Sequence, residues 1–201
     1  RELLAAADRA EAADDDACYV EVATELCLHG GTTLAGSVDE GAGAHLERAL
    51  TLSVGDELRA PLMSAAGTLL AISDETARGR QLYRRAMELA ESSGDPATRR
   101  TVLMNAHLGL PHPDDLDLRR RAAAGIAAFD DHEAQWESRY LAFGLALIDA
   151  DRAALDEAVA DLHRLTSAVR QRDHQQSLRQ VASVHAFIRG ELDEAGRLRR
   201  P

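Results

Sequence analysis

The stretch LERALTL at residues 46–52 is echoed by YRRAMEL at residues 83–89, which begins 37 positions further along the chain. Both stretches place two apolar residues and an alanine at positions i, i+3 and i+4, the spacing of one buried face of an α-helix. The alanines, Ala49 and Ala86, are small enough to let a partner helix approach closely. The echo therefore predicts a helical unit that is repeated along the chain.

Signals that start helices recur between the repeated units. Ser37 and Glu40 have the spacing of a capping box, in which each side chain satisfies a free backbone N–H of the first turn. Asp95 is followed by Pro96, which is tolerated at the first helical position because its missing N–H would have no partner there. Asp130 is predicted to cap a further helix. Signals that end helices, glycine and proline, occur at residues 30–31, 55, 94, 109–113 and 190.

The connectors between the predicted helices are short, mostly two to five residues, so consecutive helices should lie antiparallel as hairpins. The predicted hairpins span residues 17–53, 56–93, 96–129, 132–171 and 174–201. Their second helices begin 36 to 40 residues apart, and a two-helix period of this length is typical of an α-solenoid. We therefore predict an all-α fold, a solenoid of about five antiparallel helical hairpins that forms a single helical-repeat domain over residues 1–201.

The composition excludes several classes of protein. Hydrophobic residues make up 45% of the chain and aromatic residues only 3%, with alanine and leucine prominent, which favours helices. All 23 basic residues are arginine, so the chain has neither the lysine of a Walker A phosphate loop nor a Schiff-base lysine. The formal net charge of −11 repels a phosphate backbone, and we expect no direct contact with nucleic acid. The basic run at residues 119–121, which follows Asp114, Asp115 and Asp117, is interpreted as a solvated helix face.

The motifs of common catalytic and metal sites are missing from the sequence. Gly41 and Gly43 lie within a predicted helix and lack the third glycine of a dinucleotide-binding loop. His107, His112 and Asp114 have only a loose resemblance to metal-ligand spacing around a proline-rich turn. Adjacent carboxylates on a helix point apart and stay solvated, so they do not form an acid–base pair. We expect no enzyme activity, no cofactor and no bound metal.

The cysteines and the hydropathy pattern bear on the location of the protein. Cys18 and Cys27 are nine residues apart in one predicted helix and so lie on opposite faces, where they cannot bridge each other. We expect two buried free thiols in the reducing cytoplasm. No apolar run approaches the ~18 residues of a membrane span.

The chain opens in a helical pattern without a methionine and stops just after another helix begins, so we expect a piece of a longer polypeptide.

The repeated units resemble known helical repeats. The stretches at residues 38–52, 74–110 and 190–198 are similar to tetratricopeptide repeats, with a turn before the second helix and alanine followed by leucine or methionine near its middle. The start LAAADRAEAA, the link GDPATR and the phrase GELDEA resemble the helical-repeat regions of large actinobacterial LuxR-type transcriptional regulators. In that group a STAND-type ATP-binding domain and a helix-turn-helix flank the repeats. The resemblance implies a segment that senses an inducer or a partner.

Candidate binding residues are polar or aromatic side chains on the first helices of the hairpins, which line the concave surface of a solenoid. The candidates are Asn105, His107, Trp136, Arg139, Tyr140, Gln175, Arg179 and His185. Trp136 and Tyr140 are one turn apart, a spacing that ordinary core packing also produces. Arg139 beside them suits an anion or a peptide carboxylate.

Two functions remain open at this stage. The first is a ligand-sensing or protein-interaction segment of a transcriptional regulator in the cytoplasm, which binds a protein, a peptide or a small-molecule inducer and acts on flanking domains of the same polypeptide. The alternative is a structural scaffold or dimerisation module without a small-molecule ligand, in which case the chain would form a homodimer. We expect no membrane partner for either.

Overall fold

The structure is a computed structural model, and it describes residues 2–29, 39–71, 73–105, 113–168 and 172–199. Every regular element within these ranges is helical, which confirms the all-α prediction. The α-helices in chain order are α1 Glu2–Ala12, α2 Asp16–His29, α3 Glu40–Thr51, α4 Asp56–Ala71, α5 Thr76–Ser93, α6 Pro96–Met104, α7 Leu116–Ala127, α8 His132–Ile148, α9 Arg152–Ala168, α10 Arg172–Ile188 and α11 Leu192–Leu198. A short 3-10 turn, Pro113–Asp115, precedes α7.

The chain divides into two compact units, Arg1–Leu118 and Arg119–Pro201. In the first unit, α4 packs against α5 and α2, while α2 also contacts α1 and α3. The repeated stretches supply buried residues to this unit, as their spacing predicts: Leu46, Ala49, Tyr83, Ala86 and Met87 are all at most 3% exposed.

Helices α4 and α5 approach each other closely at two glycines. A Cβ atom added to Gly67 would lie 2.9 Å from the backbone oxygen of Gly79 and 2.9 Å from Cβ of Tyr83. A Cβ added to Gly79 would lie 3.0 Å from the backbone oxygen of Gly67. The two helices can pack at this distance only because neither position carries a side chain.

Two polar contacts connect α6 to its neighbours. The Tyr83 hydroxyl donates to the backbone oxygen of Val102 at 2.6 Å, and burial raises the pKa of Tyr83. At the end of α6, Asn105 Nδ2 donates to Ser64 Oγ at 3.0 Å. Each contact satisfies a polar side chain within the helical core, where an unpaired group would be costly.

A buried carboxylate attaches the 3-10 turn to α5. Asp115 is 1% exposed, and it accepts hydrogen bonds from Arg80 Nε and Arg84 Nη2, both at 2.5 Å. Burial opposes ionisation of Asp115, but the hydrogen bonds and charges of Arg80 and Arg84 outweigh burial and hold its pKa below the ordinary value. The expected solvated acidic face is therefore wrong at Asp115, because two arginines of a distant helix reach this carboxylate. Asp114 beside it remains exposed.

The second unit is organised around an apolar cluster contributed by α8, α9 and α10. Its buried residues are Trp136, Phe143, Ala146, Leu155, Ala158, Val159, Leu162, Leu165 and Val181. Helix α8 packs against α9, α9 also packs against α10, and α10 against α11. Ser183 of α10 donates to the backbone oxygen of Ala195 in α11 at 3.0 Å. These contacts place the apolar stripes of consecutive helices against one another.

The helix start and stop signals are largely correct. Asp95 caps α6 by accepting from Thr98 N at 2.8 Å, and Gly94 and Gly190 adopt the left-handed conformation that ends helices. Asp131, rather than Asp130, caps α8, because its side chain accepts from Ala134 N at 3.0 Å.

The cap of α3 is Asp39, which accepts from Ala42 N at 3.1 Å; the predicted cap, Ser37, lies outside the described residues. The expectation of two buried thiols is wrong for Cys18, which is exposed while Cys27 is buried. Opposite faces of a helix with one packed side must differ in this way. Across the described helices, none combines the length and the apolar content needed to cross a bilayer.

Candidate functional site

A cavity of about 180 Å³ lies in the second unit, between the start of α9 and the end of α10. It is lined by Arg152, Leu155, Asp156, His185, Ile188, Arg189 and Glu191. The cavity is therefore large enough for one amino-acid side chain or a small carboxylic acid.

Asp156 contacts both His185 and Arg189 on the α10 side of the cavity. Its Oδ1 lies 2.6 Å from His185 Nε2 and 3.5 Å from Arg189 Nη1. The hydrogen bond from His185 is the main reason why the pKa of Asp156 is lowered, and Arg189 adds to the effect. Arg189 also donates from Nε to Glu191 Oε1 at 3.0 Å. The two carboxylates at this end of the cavity therefore already have cationic or hydrogen-bonding partners.

Arg152 adds a positive charge to the cavity lining. The contacts among Asp156, His185, Arg189 and Glu191 do not include this arginine. It is the first residue of α9, whose N-terminus is capped by Asp151 through a 3.0 Å hydrogen bond to Ala154 N. Its side chain is exposed and makes no ion pair within the described part of the chain. The positive end of the α9 dipole adds to this charge. The combination of Arg152 with apolar Leu155 and Ile188 suits a ligand that carries both a carboxylate and an apolar group.

Trp136 and Tyr140 form an aromatic stack inside the second unit. Their ring centroids are 5.2 Å apart, and the His174 ring also stacks on Trp136, with the centroids 4.2 Å apart. Trp136 is 2% exposed, and its Nε1 donates to Thr166 Oγ1 at 2.9 Å. Trp136 therefore acts as a core residue in this structure, while Tyr140 is half-buried at the edge of the stack.

The other predicted site residues do not converge on one place. Arg139 pairs with Asp161 at 2.9 Å, so its charge is already neutralised. Gln175 and Arg179 are exposed on α10, and Asn105 lies in the first unit, bonded to Ser64 as described above. His107 lies outside the described residues, as does His112 of the loosely spaced histidine and aspartate group. Of the seven candidates within the described residues, His185 alone lines the cavity.

Glu137, which does not line the cavity, is a perturbed carboxyl group that the sequence analysis did not single out. It is mostly buried on α8, and burial, with the nearby charge of Glu133, raises its pKa to about 7. Its charge in turn contributes to a raised pKa of Tyr140, for which burial is the larger cause. Glu137, Tyr140 and Gly144 follow one face of α8 at helical spacing, a pattern that could have indicated the location but not the burial.

Glu137 should make the stability of the protein depend on pH. A carboxyl whose pKa is raised by folding stabilises the fold in its protonated form, and this contribution is lost as the pH rises from about 4.5 to about 7. We expect Glu137→Gln to abolish that loss and to raise the free energy of unfolding at pH 8 by about 2–3 kcal/mol. Urea unfolding of both proteins between pH 4 and pH 8 measures the effect.

Glu133→Gln is the matched control for this prediction. It should reduce the pH dependence without abolishing it, because it removes the charge that contributes to the shift and leaves the burial. Identical pH profiles for wild type and Glu137→Gln would show that Glu137 ionises normally in the folded protein.

Comparisons with known proteins identify no relative: no family model, no curated protein and no solved structure matches the chain.

Proposed function

We propose that the chain is the ligand-sensing or protein-interaction segment of a LuxR-type transcriptional regulator, and that it is built from tetratricopeptide-like hairpins. Helices that neighbour one another in sequence also pack together: α4 with α5 in the first unit, and α8, α9, α10 and α11 in succession in the second. This pattern supports the proposal because arrays of helical hairpins bury their apolar faces by stacking each element on the next.

The cavity between α9 and α10 is the observation that carries the binding function. It combines an arginine without an acidic partner among the described residues, Arg152, with an apolar lining from Leu155 and Ile188. We assign the cavity to the carboxylate and the apolar side chain of a peptide or a small acid. Binding would favour one arrangement of α9 and α10, and this shift in population would pass to flanking domains of the same polypeptide.

A pair of matched peptides tests the assignment. Acetyl-Ala-Ala-Leu with a free C-terminal carboxylate should shift the amide NMR signal of Gly190 in a saturable manner, and the same peptide with a C-terminal amide should bind at least about tenfold more weakly. Arg152→Ala should weaken binding of the free acid by about 10–100-fold, because it removes one charge-assisted hydrogen bond.

Arg99→Ala is the control for the loss of one arginine. Arg99 is exposed in the first unit and makes no ion pair within the residues that the structure describes, so its removal should leave the peptide affinity unchanged. Equal binding of the acid and the amide, or unchanged binding by Arg152→Ala, would contradict the assignment. The regulator role has its own test, since the complete coding sequence must contain a Walker A motif upstream and a helix-turn-helix downstream.

The alternative function, a scaffold or dimerisation module, is supported by a different observation. Phe187 and Leu192 are 65% and 64% exposed near the end of α10 and the start of α11. Large apolar side chains exposed in this way are typical of surfaces that associate. Sedimentation over a range of concentrations separates the two functions, because a dimer that is lost in Phe187→Ser would favour the scaffold.

A further inference from the structure

Arg119 occupies a packed position rather than the solvated face predicted for the basic run. It lies one turn before Ala122 and Ala123 on α7, and Ala122 and Ile126 of the same face are fully buried. The backbone oxygen of Ala123 accepts a hydrogen bond from Ser138 Oγ of α8 at 3.1 Å, which shows that this face of α7 meets α8. The Arg119 side chain therefore lies in the seam between α7 and α8.

Gly144 of α8 provides the space for the Arg119 guanidinium. A Cβ atom added to Gly144 would lie 3.0 Å from Arg119 Nη2, closer than ordinary packing allows. No other heavy atom outside the α8 backbone lies within 4 Å of that added atom among the described residues. An alanine at this position would require the guanidinium to shift by a few tenths of an ångström, so a glycine here leaves Arg119 its full space.

The guanidinium has no anionic partner in this seam. Arg119 Nε is buried and makes no hydrogen bond within the described residues. Burial lowers the pKa of Arg119, and no neighbouring carboxylate acts to raise it. The adjacent arginine provides a contrast, since Arg120 donates to both carboxylate oxygens of Asp149 at 2.9 Å and 3.1 Å.

A half-buried cation without a partner is disfavoured unless something else satisfies it. The chain has 34 acidic residues against 23 arginines, so an acidic partner would be easy to supply, yet Arg119 Nε has no hydrogen-bond partner among the described residues and no carboxylate contributes to the pKa shift of Arg119. A guanidinium presents a planar set of donors that matches the oxygens of a carboxylate or a phosphate group.

We propose that Arg119 and Gly144 form a binding site for an oxyanion, either the carboxylate or the phosphate group of a ligand, in the seam between α7 and α8. The group binds to the Nη atoms of Arg119, since Nε is sealed by the surrounding side chains. Gly144 keeps the seam open for this contact. This site is formed by α7 and α8, whereas the cavity described above lies between α9 and α10. The proposal therefore does not depend on the function proposed for that cavity.

NMR titration of the 201-residue chain with two simple anions tests the site. Sodium phosphate and sodium acetate, each at constant ionic strength, should shift the Gly144 amide signal in a saturable manner. The anion that binds more tightly identifies the ligand group as phosphate or carboxylate. Arg119→Met should weaken this binding at least tenfold, and Gly144→Ala should weaken it as well because the guanidinium is displaced. Arg99→Met, which removes an exposed arginine, should leave it unchanged.

The stability of the anion-free proteins gives an independent readout. Arg119→Met keeps the length of the side chain and removes an unpaired cation, so this variant should unfold at a higher urea concentration than wild type. If Arg119 stabilised the anion-free fold, Arg119→Met would unfold at a lower urea concentration than wild type. Lower stability of Arg119→Met, the absence of a saturable shift at Gly144, or an unchanged shift in Arg119→Met would each overturn the proposal.

Discussion

Replacing Asp115 by asparagine should lower the free energy of unfolding by about 3–5 kcal/mol. The substitution removes the negative charge that neutralises Arg80 and Arg84, and it leaves the largely buried Arg80 with only the exposed and more distant Asp114 as an ionic partner. Breaking a buried ion pair from one side costs more than the pair itself contributes, since the remaining charge stays buried. Chemical denaturation at pH 7 measures the loss.

The neighbouring residue supplies a matched control. Asp114 is also near Arg80, at 3.7 Å, but its side chain is 70% exposed, so Asp114→Asn should change the free energy of unfolding by less than about 1 kcal/mol. The pKa of Asp115 is lowered in the folded protein, so its contribution is fully present above about pH 4 and is lost as the pH falls through the folded-state pKa. The difference between wild type and Asp115→Asn should therefore shrink in acid. If the two substitutions lowered the free energy of unfolding equally, Asp115 would not be the main ionic partner of Arg80 and Arg84.

Replacing Gly67 by leucine should destabilise the protein by more than about 3 kcal/mol. The first atom of the new side chain would already lie 2.9 Å from the backbone oxygen of Gly79 and 2.9 Å from Tyr83 Cβ. Neither atom is the end of a flexible side chain, so α4 and α5 must separate to relieve the clash. Separation also exposes the apolar surface that is buried between α4 and α5. Thermal unfolding followed by circular dichroism should show the loss.

The same substitution at an open position controls for helix propensity. Gly196 lies in α11 with no other atom within 4 Å of an added Cβ, so Gly196→Leu should leave stability unchanged or raise it by up to about 1 kcal/mol. If Gly67→Leu proved as stable as Gly196→Leu, this result would contradict the close packing of α4 against α5.

Local sequence rules predicted the helices because the residues that decide them are close together in the chain. Asp95 and Gly94 set a helix boundary through contacts that span only a few residues. The apolar spacing around Leu46 and Tyr83 identified buried faces for the same reason. The assembly of the hairpins into a regular solenoid remains a prediction, since it depends on how successive units stack, which no local pattern determines.

The candidate site could be predicted only in part. His185 was selected as a polar side chain on the first helix of a hairpin, but its partner Asp156 is 29 residues away and belongs to no motif. Arg119 appeared as one of three consecutive arginines, and nothing in that run shows which one turns into the seam. The burial of Glu137 likewise results from tertiary packing, which its own neighbours in sequence do not reveal.

The uneven burial of the two cysteines has a practical consequence. Burial raises the pKa of Cys27 to about 12, so at neutral pH a maleimide dye should react with the exposed Cys18 alone and place one fluorophore on the first unit. The second unit already contains its own fluorophore, since Trp136 is the only tryptophan in the chain. Wild-type protein thus offers one optical reporter per unit, and labelled samples can reveal whether the units melt together or in sequence.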